Sequence, residues 1–99
     1  MQEVFQGVRN AVIEEKMAVL FLHAGADSWI LPFFQIEKLR VIPRPDLTEM
    51  PILTGLVDEG KSAGLLILNL SFSPEEGKGW SIYRRFTEAD SALYLWRNP

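Results

Sequence analysis

Two short, almost unbroken apolar runs, residues 17–22 and 65–70, constrain this chain more than any other feature of it. Neither alternates polar with apolar residues, and each reads as a buried strand. Both are far too short to cross a bilayer, which takes about 20 apolar residues in a helix. The length of 99 residues fits one domain over 1–99 and leaves no room for two. With 47% apolar residues the chain can build a core. A domain this small cannot conceal so much apolar surface alone, so part of it is expected to form a partner surface. The simplest such partner is a second copy, which predicts a homo-oligomer, a dimer.

The chain has no cysteine. That excludes disulfides, thiolate metal ligands and cysteine nucleophiles, and it favours a reducing, cytoplasmic setting. No basic stretch followed by an apolar run opens the sequence, so neither a signal peptide nor a membrane role is expected. A net charge of -3 disfavours nucleic acid, which requires a basic field.

Residues 2–15 place Val4, Phe5, Val8, Ala11 and Val12 on one helical stripe, with Gln2, Glu3, Gln6, Arg9 and Asn10 opposite. This helix is expected to lie on a sheet, slightly weakened by Gly7. Met17–His23 is the first strand, followed by a turn containing Gly25 and Asp27. Residues 29–42 read as a second extended stretch, with Pro32 marking an edge or bulge and a helix over 33–41 as the alternative. Residues 47–57 read as a strand pairing with 62–72 across the turn Asp58, Glu59, Gly60, Lys61. A helix there would set Asp58 and Glu59 against its negative end. Trp80–Phe86 is a further strand, and Ser91–Arg97 is its hairpin partner rather than a terminal helix. The expected fold is α+β: an N-terminal helix packed on a mainly antiparallel sheet of about five to six strands.

From Gly55 to Ser62 the sequence satisfies G-x-x-x-x-G-K-[ST], the pattern of a phosphate-binding loop, with Lys61 and Ser62 in the cation and hydroxyl positions. Such a loop needs a strand before it and a helix after it. Here an expected strand follows, and Asp58 and Glu59 would oppose a phosphate. Residues 60–64 also match G-x-S-x-G, but the later acid and histidine of a nucleophile elbow are missing. The single histidine, His23, ends a strand near Asp27, Ser28 and Trp29, which outlines a polar pocket for proton transfer or a small ligand.

The C-terminal segment is the most suggestive. Trp80, Tyr83, Arg84, Arg85, Phe86, Tyr94, Trp96 and Arg97 lie close together in sequence. Strict alternation would set Trp80, Ile82, Arg84 and Phe86 on one face and Ser81, Tyr83 and Arg85 on the other. Arginine beside tyrosine and tryptophan is the composition of binding hot spots, and a guanidinium can stack on a ring or grip a carboxylate. The leading expectation is therefore a non-catalytic interaction module, self-associating through Trp80, Tyr83, Arg84, Arg85, Tyr94 and Trp96, with Trp29 and either Phe33 or Phe34 as additions. Its partner is a second copy, another protein or a small molecule. No cofactor and no metal are expected. The alternatives are a small-molecule or catalytic pocket at His23, Asp27 and Trp29, and phosphate binding at Gly55–Ser62.

Overall fold

A computed structural model describes residues 2–23, 35–43, 54–68 and 79–98. Helix α1 (Gln2–Glu14) leads into strand β1 (Met17–His23), followed by β2 (Arg40–Pro43), β3 (Ser62–Ile67), β4 (Trp80–Phe86) and β5 (Ser91–Arg97). Short 3-10 turns cover Thr54–Leu56 and Glu88–Asp90. The strands form one five-stranded sheet in the order β2-β1-β3-β5-β4. β1 runs parallel to β2 and to β3, while β5 runs antiparallel to β3 and to β4. The architecture is α+β, one N-terminal helix on a mixed five-stranded sheet, as the helix-then-strands pattern predicts.

Every residue of β3 is buried, because it lies mid-sheet with covered faces on both sides. On the helix side Val4, Val8 and Ala11 of α1 pack with Met17, Leu20, Leu22, Leu66, Phe86, Leu93 and Leu95. Phe5 and Val12 flank this cluster half-buried, which completes the expected stripe. On the opposite face Val19, Phe21, Ala63, Leu65 and Ile67 cluster with Val57, ringed by Ile42, Trp80, Tyr94 and Trp96. An unbroken apolar run suits a strand that feeds two cores at once.

Both ends of α1 are tied down by distant residues. At its start the Val4 N–H donates to Glu88 Oε1 at 2.9 Å, which satisfies a helix-terminal donor with a carboxylate. In the reverse sense, the Thr87 N–H and hydroxyl donate to the Glu3 carboxylate at 3.0 and 2.8 Å. At its end Lys16 takes the left-handed conformation (φ 53) that stops the helix. There the buried Ser62 hydroxyl donates to Glu15 O at 2.8 Å, and the Ser62 N–H donates to Lys16 O at 3.1 Å.

Three expectations require correction. Residues 62–67 cannot pair with 47–57, because β1 and β5 already occupy both edges of β3. Thr54–Leu56 is a 3-10 turn, and 47–53 lie outside the described residues. The second extended stretch contributes a strand only from Arg40, with Lys38 at φ 66 in the turn that precedes it. No helix covers 35–41, and 29–34 lie outside the described residues. Strict alternation along β4 also fails, for the reason given below.

Candidate functional site

The β4–β5 hairpin carries most of the residues expected to bind a partner. Its register pairs Trp80 with Trp96, Ser81 with Leu95 and Ile82 with Tyr94. It then shifts, pairing Arg84 with Leu93, Arg85 with Ala92 and Phe86 with Ser91. Tyr83 is the extra residue of a β-bulge, which breaks the two-residue period. Trp80 and Ile82 therefore stand with Tyr94 and Trp96 on the face away from the helix. Beyond the bulge Arg84 and Phe86 align with Leu93 and Ser91 on the helix face, where Tyr83 also packs. The expected single face of Trp80, Ile82, Arg84 and Phe86 is thus split between the two sides of the sheet.

Trp80, Tyr83, Tyr94 and Trp96 are half-buried, whereas Arg84, Arg85 and Arg97 are exposed. Trp80 meets Phe21 edge to face, with ring centroids 6.5 Å apart at 70°. Trp96 lies where a side chain on residue 79 would go: a Cβ there would sit 2.7 Å from its Cδ1. Gly79 (φ 88) can adopt this backbone and leave the space free. The Arg84 guanidinium lies 5.4 Å from the centroid of the Phe86 ring. Ile82 is 48% exposed at the sheet margin, and the other large apolar side chain exposed among the described residues is Ile13.

On the helix side, a cleft of about 360 Å³ runs between the end of α1 and the hairpin, lined by Glu15, Gly79, Ser81, Ile82, Tyr83, Leu95 and Arg97. The Tyr83 hydroxyl donates to Glu14 Oε2 at 3.1 Å, and Arg97 forms an ion pair with Glu15. Burial raises the Tyr83 hydroxyl pKa above its ordinary 10.0, and the hydrogen bond to Glu14 and the charges of Glu14 and Glu15 act in the same direction, against Arg84. At neutral pH Tyr83 is therefore a donor held by a carboxylate. Sequence reasoning missed Glu14 and Glu15. Their signal was position: two carboxylates in the last turn of a helix face its negative end and call for cationic or donor partners.

The phosphate-loop pattern folds into something else. The Val57, Gly60 and Lys61 N–H groups donate to Thr54 O, Asn98 O and Asp58 O at 3.0, 2.8 and 3.0 Å. Ser62 opens β3, not a helix, and its N–H and hydroxyl serve the end of α1. The Val57, Gly60, Lys61 and Ser62 amides are thus engaged within the chain, and Gly60 (φ 81) shapes a tight turn. Asn98 locks this turn to β5, donating from its side chain to Val57 O at 2.8 Å and from its N–H to Lys61 O at 3.0 Å. His23 ends β1 as expected, but Asp27 and Trp29, with Phe33 and Phe34, lie outside the described residues. No helix among the described residues is long and apolar enough to cross a membrane. No group of three or more His, Asp or Glu side chains among them could hold a metal ion. No family model, curated protein or solved structure matches the chain.

Proposed function

We propose that this chain is a small non-catalytic interaction module that self-associates through its C-terminal hairpin. The observation that carries this reading is the composition of β4 at the sheet margin. Ile82 is half-exposed there, Arg84 and Arg85 reach into solvent, and Trp80, Tyr83, Tyr94 and Trp96 each give one side to a core and the other to water. Half-buried aromatics are already ordered by their cores, so covering the rest costs little conformational entropy. Arginines among them supply directional contacts to a carboxylate-bearing surface. The acidic net charge sets nucleic acid aside as partner, and the lack of cysteine suits a cytoplasmic setting.

The test is the molar mass of the full chain by light scattering and sedimentation equilibrium over a wide dilution series. The expected result is a dimer that dissociates on dilution, weakened by Ile82→Asp. A monomer at the highest attainable concentration would remove the reading.

A further inference from the structure

We infer that the second copy adds directly to β4, edge to edge, so that two sheets join about a two-fold axis lying between Tyr83 and Arg84. This rests on the self-association proposed above and specifies its geometry. β4 ends the strand order, and no strand among the described residues lies outside it. An edge strand of this kind is a template for another strand. A bulge usually guards such an edge, and here it also dictates what can pair with it.

Residues directly opposed across an antiparallel pair must point to the same side of the sheet. On β4 the sides are set by β5: Trp80, Ile82 and Arg85 point away from the helix, and Ser81, Tyr83, Arg84 and Phe86 point toward it. A two-fold axis between Tyr83 and Arg84 sets Ser81 against Phe86 of the second copy, Ile82 against Arg85, and Tyr83 against Arg84. All three pairs match in side. A shift of one position either way opposes side chains of unlike sides through most of the strand.

The charges agree with the same register. Among the described residues Arg84 and Arg85 have no carboxylate partner; Arg84 lies over its own Phe86 ring. Glu14 accepts from the Tyr83 hydroxyl and, among the described residues, has no cation bound to it. In the joined sheet Arg84 of one copy runs beside Tyr83 of the other, toward the Glu14 carboxylate held by that hydroxyl. The two-fold repeats this pair, so each copy gives one arginine and one glutamate. Ile82 is covered by the aliphatic stem of Arg85 from the second copy, which removes an exposed apolar side chain from water.

The test uses charge exchange between copies of the full chain. Arg84→Glu alone and Glu14→Arg alone should each weaken the dimer at least tenfold, because each opposes like charges twice. An equimolar mixture of the two variants should restore a dimer, since the mixed pair has one parental and one reversed ion pair. Contacts within a single chain cannot be rescued by mixing. Circular dichroism of each variant confirms folding. A second measurement does not depend on the ion pair: in this cysteine-free chain, Ile82→Cys mixed with Arg85→Cys should oxidise to a cross-linked dimer, and Ile82→Cys alone should not. A parental dimer with no rescue on mixing and no selective cross-link overturns the edge register and leaves self-association standing. A parental monomer removes both.

Discussion

Replacing Gly7 with alanine sets two opposing effects against each other. In an exposed helix the change stabilises by about 1 kcal/mol, because glycine carries the greater backbone entropy cost. Here the helix lies so close to the sheet that a Cβ on Gly7 would overlap Cε1 and Cζ of Phe86. Phe86 is 4% exposed within the helix-side core and its ring is flanked by Arg84, so it has little room to turn away. Overpacking of this kind costs about 1–3 kcal/mol, and an overlap with two ring atoms belongs at the upper end. The net expectation is a loss of about 2 kcal/mol, a fall in Tm of roughly 10 °C for a domain of this size. Urea unfolding of Gly7→Ala, Phe86→Leu and the double variant gives the coupling directly. Leucine lacks the two ring atoms concerned, so the double variant should be more stable than the sum of the single changes allows by about 2 kcal/mol. A Gly7→Ala protein more stable than the parent, or an additive cycle, would refute the close approach of helix to sheet.

Three further outcomes follow from the described contacts. In Tyr94→Phe, where Tyr83 is the remaining tyrosine, the midpoint of the phenolate absorbance should lie above pH 10.0, and Glu14→Gln should move it to lower pH. Because the folded value lies above the unfolded one, the stability linked to Tyr83 is complete below pH 10.0 and is lost as pH climbs through the folded value. Glu88 behaves in the opposite sense. Its hydrogen bond from the chain's amino group, then that from the Val4 N–H, hold its pKa below the ordinary 4.5, so its stabilisation is present above pH 4.5 and disappears as pH falls through the folded value. Thermal melts between pH 2 and 6 should therefore show a shallower acid limb for Glu88→Gln than for the parent, and an unchanged limb would remove the link. Lys16→Gly relieves a left-handed lysine and should raise stability by about 0.5–1 kcal/mol in urea unfolding; a loss would mean that Lys16 contributes more than a helix stop.

The elements legible in sequence are those specified by local pattern. The α1 stripe, the apolar β1 and β3, and the aromatic hairpin of β4 and β5 all appear where periodicity places them. Strand order was not legible. Residues 47–57 looked like a partner for 62–67 because they are near in sequence, yet β1 and β5, which lie farther away in sequence, take those edges. The bulge at Tyr83 was equally hidden: an extra residue in a strand is defined only against its partner, and it alone decides which arginine points to which side. The Gly60, Lys61 and Ser62 letters suggested a phosphate site because a motif records residue types and not where their N–H groups point. The helix-end glutamates could have been noticed, since the macrodipole argument used against a helix over 47–57 applies equally to Glu14 and Glu15.

The position of β5 has a consequence for how the protein is made. It is the last of the described strands to leave the ribosome, yet it sits inside the sheet between β3 and β4. Until it emerges, β3 lacks its antiparallel neighbour and β4 lacks the strand it pairs with. Sheet closure therefore waits for β5, and a stop codon placed anywhere within β5 should yield a chain dependent on chaperones rather than a slightly smaller version of the same protein.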